Sequence, residues 1–129
     1  MASLRPRIIA LDSLRVFLLE AGDDRLPLLI LHGFASSALA WARIIETLGA
    51  DRLVVAYDRP GFGLTVATAP QWKGLDPYGP DAQVPIATEL LEYLGIHRCV
   101  VLGHSMGGRL AYELAVAQPE RVAGLILVA

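Results

Sequence analysis

The chain has 129 residues, about one domain's worth, and its net charge is −2 at pH 7. Apolar residues make up 54%, charged residues 19%, and the mean hydropathy is +0.49, which excludes an intrinsically disordered chain. Eleven Lys and Arg against thirteen Asp and Glu leave no basic footprint for nucleic acid, and the single cysteine, Cys99, excludes an internal disulfide framework and a cysteine-ligated metal.

In chain order, residues 7–11 and 15–19 are short apolar stretches around Asp12-Ser13, closed by Gly22-Asp23-Asp24, and predict a hairpin. Leu28-Leu29-Ile30-Leu31 is continuously apolar and stops at His32-Gly33. Continuous rather than alternating apolarity predicts a strand buried on both faces, as in a parallel sheet. Trp41, Ile44, Ile45 and Leu48 fall on one helical stripe ended at Gly49. Residues 53–57 predict a second buried strand, broken at Pro60-Gly61. The stretch 61–80, with three prolines and four glycines, predicts one long loop. Ala87, Leu90, Leu91 and Leu94 make the next helical stripe, and residues 99–102 a third buried strand. Residues 106–118 predict a helix with Leu110, Ala111 and Leu114 inward, and residues 124–129 a fourth strand. Strands alternating with helices after an initial hairpin predict an α/β fold: a mostly parallel sheet with helices on both faces.

No run approaches the ~20 residues of a membrane-spanning helix. Asp12, Arg15 and Glu20 interrupt whatever leader Arg5 and Arg7 could open. The expectation is a cytoplasmic protein without a membrane span.

Gly103-His104-Ser105-Met106-Gly107, followed by Gly108, stands between the apolar run Val100-Val101-Leu102 and a predicted helix. G-x-S-x-G in that strand–turn–helix setting is the pattern of a nucleophilic serine raised on a sharp turn. Glycines two residues either side leave room for the turn, and the helix N-terminus favours negative charge developing beside the hydroxyl. The competing reading is a glycine-rich turn with a bystander serine.

Three blocks, Leu31-His32-Gly33-Phe34, Asp58-Arg59-Pro60-Gly61-Phe62-Gly63 and Gly103-His104-Ser105-Met106-Gly107-Gly108, resemble the N-terminal half of an α/β-hydrolase-fold protein in order and separation. Within that superfamily the chain looks most similar to lipase/esterase-like and meta-cleavage-hydrolase-like groups. The residue at the elbow is serine, where the family's epoxide hydrolases and haloalkane dehalogenases use aspartate. The resemblance implies Ser105 as nucleophile and the backbone N–H groups of Phe34 and Met106 as oxyanion hole, with His32, Gly33, Gly103 and Gly107 supporting the turns. Asp58 and Arg59 read as structural, tying their loop by hydrogen bonds and an ion pair. Phe34, Trp41, Phe62, Trp72 and Tyr78 are candidate walls of an apolar substrate pocket, because open α/β sheets bind ligands at the carboxyl ends of their strands.

A serine of this kind needs a histidine base and an acid, which follow it in the family's order. After Ser105 come Glu113 and Glu120, both near the following helix, and no histidine. His104 is expected to project away from its neighbour, His32 to brace its loop and His97 to lie in solvent. The expectation is therefore a single incomplete α/β-hydrolase domain over residues 1–129. Its sheet stops after about the sixth strand, with the later strands, any cap, the acid and the histidine lying elsewhere. It would leave an apolar edge strand open to self-association.

These features imply a serine hydrolase acting on a small-molecule carboxylic ester or similar acyl bond, weakly active at most as this piece, without metal or organic cofactor. A C–C bond hydrolase of the meta-cleavage type or a perhydrolase would use the same elbow. The former would need a carboxylate-binding residue, for which Arg109 is a weak candidate. A member of a different class, binding a small molecule or partner without turnover, is the third reading.

Overall fold

The computed structural model describes residues 1–23, 25–68 and 74–129. The strands are β1 Arg5–Leu11, β2 Leu14–Ala21, β3 Leu28–Leu31, β4 Val54–Tyr57, β5 Val66–Ala67, β6 Cys99–His104 and β7 Val122–Val128. The helices are α1 Ala42–Leu48, α2 Gln83–Tyr93 and α3 Met106–Ala117, with short 3-10 turns at Ala38–Trp41 and Pro80–Ala82 leading into α1 and α2. The strands form one sheet in the order β1-β2-β4-β3-β6-β7, with β5 on β2. The β1, β2 and β4 contacts are antiparallel, and the β4-β3-β6-β7 block is parallel.

The parallel block follows from the continuous apolar runs. Strand side chains alternate between faces, so a strand covered on both sides must be apolar at every position. In β3, Leu28 and Ile30 join the core under α1, with Ile45 and Ala38, while Leu29 and Leu31 join the core under α2 and α3. All four are buried. Each such leucine or isoleucine contributes about 1.5–3 kcal/mol on burial. The inward residues of α2 and α3 are Ala87, Leu90, Leu91, Leu110, Ala111 and Leu114, as their spacing predicts.

The structure departs from the sequence pattern at three places. The stretch after Gly61 is not unbroken loop: β5 pairs antiparallel with β2 at Leu14 and Arg15, and a 3-10 turn opens at Pro80. Two residues are too few to show a period. On α1 only Ile45 is fully buried, whereas Ile44 and Leu48 are exposed, because the seven-residue helix meets the sheet along one narrow line. In β7, Leu125, Ile126, Leu127 and Val128 are 37–56% exposed, because among the described residues β7 pairs only with β6.

Cys99 is buried, and burial pushes its thiol up to about 11, which leaves it unreactive at neutral pH. Among the described residues, no helix is long and apolar enough to cross a membrane.

Candidate active site

Leu31 at the end of β3 lies beside Gly103 of β6. The loops leaving the carboxyl ends of these two strands, and of β4 alongside, therefore converge. This brings His32–Phe34, Asp58–Gly63 and Ser105 to one end of the sheet.

Ser105 is the N-cap of α3 with φ 55° and ψ −119°, a conformation L-residues rarely adopt. Such backbone costs on the order of 1–3 kcal/mol and persists only where the surroundings impose it. Here the Ser105 N–H donates to Val128 O at 2.9 Å, and its carbonyl accepts from Gly108 N–H at 2.8 Å. The flanking glycines are required by close approach. A Cβ on Gly103 would lie 2.3 Å from Gly107 O, and one on Gly107 would lie 2.0 Å from Leu31 O. The start of α3 is pressed against the end of β3 so tightly that no side chain fits between them. The serine itself is exposed.

Gly33 is the point of contact with the third block. A Cβ there would stand 3.1 Å from His104 O and 3.2 Å from Ser105 Cβ. Phe34 therefore follows directly on a residue packed against the serine. Neither the Phe34 N–H nor the Met106 N–H donates a hydrogen bond among the described residues. For Met106 this follows from its place in the first turn of a helix.

His32 is fully buried. The Arg59 backbone N–H donates to its Nε2 at 3.0 Å, so the proton sits on Nδ1, 2.8 Å from Gly33 O. The ring is thus neutral and holds two loops together. Burial is the main cause lowering its pKa from the usual 6.5. Above that value neither the folded nor the unfolded chain carries the proton, and the term is silent. Below it the unfolded chain takes up a proton that the fold refuses, so acidification destabilises. Urea unfolding between pH 8 and 5 should show a stability loss in the wild type. His32→Gln should lack that part of the slope, at most about 1.4 kcal/mol per pH unit.

Asp58 accepts from Ala38 N–H at 2.7 Å with Oδ1 and from Leu64 N–H at 2.9 Å with Oδ2. The expected ion pair with Arg59 is not formed among the described residues. Both carboxylate oxygens are taken by backbone, and Arg59 turns its Nε–H to His32 O at 3.1 Å. Asp58→Ala should cost about 2–3 kcal/mol in thermal unfolding because a buried donor, Ala38 N–H, and a part-buried one, Leu64 N–H, lose a charged acceptor. Asp58→Asn, which keeps one acceptor oxygen, should cost less.

The aromatic candidates separate. Phe34, Phe62 and Tyr78 line one cleft of about 260 Å³ with Arg59, Gln83 and Met106. Phe34 and Phe62 meet edge to face, as do His32 and Phe62. Trp41 does not line this cleft. Its ring lies edge-on to His104 instead, with centroids 5.9 Å apart. Trp72 lies outside the described residues. Ser105 borders a wider groove between α3 and β7, lined by Tyr112, Leu127 and Val128, and Arg109 stands on the rim of both. Arg109 is largely exposed and paired with Glu113 at 2.8 Å, one turn along α3.

Among the described residues no histidine is hydrogen-bonded to Ser105: His32 uses both ring nitrogens elsewhere, and the His104 ring meets Trp41 edge-on. His97 precedes β6, roughly 20 Å away at the other end of a six-residue strand. Arg59 has the hydrogen-bonding role expected of it, but its place in the cleft wall was not legible: it is 4% exposed and lines the cleft with Phe34 and Phe62.

A family model described as the alpha/beta hydrolase fold matches residues 27–129. Epoxide hydrolase 4 of Mus musculus is 34% identical over 118 residues, covering 91% of this chain and 32% of that protein. The (lyso)-N-acylphosphatidylethanolamine lipase of Mus musculus is 37% identical over 107 residues, covering 81% of this chain and 30% of that protein. The crystal structure of a membrane phospholipase A, a bacterial virulence factor, superposes with a TM-score of 0.82 at 32% identity, covering 96% of this chain and 39% of that one. The chain thus spans about a third of the length of these relatives.

Proposed function

The chain belongs to the alpha/beta hydrolase fold family, and we propose that it is the nucleophile-bearing part of a serine hydrolase that cleaves carboxylic esters or similar acyl bonds of small molecules. The observation that carries this reading is the backbone of Ser105. A non-glycine residue stands at φ 55° on a helix N-terminus, beside the unbonded N–H groups of Phe34 and Met106. Strain of that kind is kept where a side chain must be presented to a reactant. Both epoxide hydrolases and lipases occur among the relatives. The hydroxyl at the elbow favours acyl transfer over the aspartate chemistry of the family's epoxide hydrolases.

In this mechanism Ser105 Oγ attacks the substrate carbonyl as its proton passes to a base. The oxyanion so formed accepts from the Phe34 and Met106 N–H groups, each such donor being worth about 3–4 kcal/mol in comparable sites. The alcohol leaves with the proton, and water then cleaves the acyl-serine by the same steps in reverse order. No histidine of residues 1–129 is placed to be that base, so the reading assigns the base and its acid partner to segments outside this stretch, and treats 1–129 as part of one larger domain. The test is labelling of the full-length protein with a fluorophosphonate probe. Modification mapped to Ser105 supports the reading. A folded protein whose Ser105 never labels removes it.

A further inference from the structure

The wall of the cleft beside Met106 includes a buried cation, Arg59, that no carboxylate among the described residues pairs. The Arg59 guanidinium stays charged at neutral pH, although burial lowers its pKa. Its Nε–H goes to His32 O, its carbon stands 5.2 Å from the centre of the Phe62 ring, and its buried Nη2 has no hydrogen-bond partner. No ion pair among the described residues includes it. Neighbouring Asp58 gives both oxygens to backbone N–H groups, and Glu113, the carboxylate in the cleft wall, is held by Arg109. A second polar atom of the cleft residues, Gln83 Oε1, is also buried without a partner. An uncompensated buried charge is strongly destabilising, and a fold needing only volume here would be served by an apolar side chain.

We propose that Arg59 is a specificity-determining residue that binds a second, non-reacting carboxylate on the acyl substrate. The substrate class is a half-ester of a dicarboxylic acid, or an acyl compound of the same form. Its methylenes lie along Phe34, Tyr78 and Met106, and the Phe62 ring turns aside to admit the carboxylate. This deepens the serine-hydrolase reading and rests on it. The carboxylate supplies the missing counter-ion in a poorly solvated site, where charge-assisted hydrogen bonds are strongest. A neutral chain of equal length leaves the guanidinium unpaired. A site built around a buried polar group discriminates sharply against the ligand that fails to pair it.

The experiment compares kcat/KM of the full-length protein on p-nitrophenyl half-esters of succinic, glutaric and adipic acids with neutral p-nitrophenyl esters of matched length. The expected result is a preference of about tenfold or more for at least one acidic ester, carried by KM. In Arg59→Met the acid-to-neutral ratio falls to one or below, whatever the absolute rates become. A preference that persists in Arg59→Met overturns the assignment to Arg59. A wild type that favours neutral esters overturns the proposal while leaving the nucleophile intact. No turnover of any ester, with no fluorophosphonate label on Ser105, overturns the reading beneath it. Should Arg59→Met fail to fold, competition decides in the wild type. Free glutarate inhibits neutral-ester hydrolysis and glutaramide does not; equal effects of the two overturn the proposal.

Discussion

Ser105→Ala in the full-length protein should lower kcat for an activated ester by about 10³- to 10⁶-fold, the range seen when a nucleophile is removed and the oxyanion donors are left in place. The same variant should unfold within about 0.5 kcal/mol of the wild type, because the exposed hydroxyl makes no hydrogen bond among the described residues. Ser105→Gly separates strain from chemistry. At φ 55° and ψ −119° glycine sits without a Cβ clash, so relief of strain outweighs its greater freedom in the unfolded chain. That variant should be equally inactive yet more stable than wild type by about 1 kcal/mol, measured by urea unfolding with activity on the same samples. If Ser105→Gly is less stable than Ser105→Ala, the backbone at the elbow is not strained by its side chain. If Ser105→Ala keeps wild-type turnover, another group performs the attack.

The sequence pattern reached this elbow because its demands are steric. A hydroxyl on a sharp turn pressed against a neighbouring strand needs glycine at Gly103 and Gly107, and those positions are visible in one dimension. The parallel strands were visible for a similar reason, since burial on both faces removes polar residues from Leu28–Leu31 and from the stretch before Gly103. What the chain does not display is direction and partnership. Trp41 sits on an apolar stripe that suits a pocket wall as well as a ring contact with His104, and only the packing of α1 decides. Arg59 follows a buried strand and precedes a proline, a context that suits a structural tie of the loop but does not show that the residue also walls the cleft. Its burial arises from His32, whose carbonyl draws the guanidinium inward. The Asp58–Arg59 adjacency suggests an ion pair, yet the backbone donors of Ala38 and Leu64, 20 and 6 residues away, claim both oxygens.

Gly107→Ala should be among the most damaging single-methyl changes in the chain. Its Cβ would fall 2.0 Å from Leu31 O and 2.7 Å from His32 O, both backbone atoms of a central strand and its exit loop. Neither can swing aside, so α3 must withdraw from β3. That loosens the packing of Leu110 and Ala111 and moves Met106 and Ser105 away from Gly33. The expected cost is about 3 kcal/mol or more, lowering the melting temperature of the full-length protein by about 5 °C, with fluorophosphonate labelling of Ser105 lost even below that transition. Gly108→Ala, one residue along, is the control. Its Cβ would meet nothing closer than 3.5 Å, and alanine is the better helix former by up to about 1 kcal/mol. Gly108→Ala should therefore fold at least as stably as wild type and keep its label. Equal behaviour of the two variants would mean that the closeness of α3 to Leu31 is not what holds the serine in place. Opposite behaviour ties the geometry of Ser105 to one carbonyl at the end of β3.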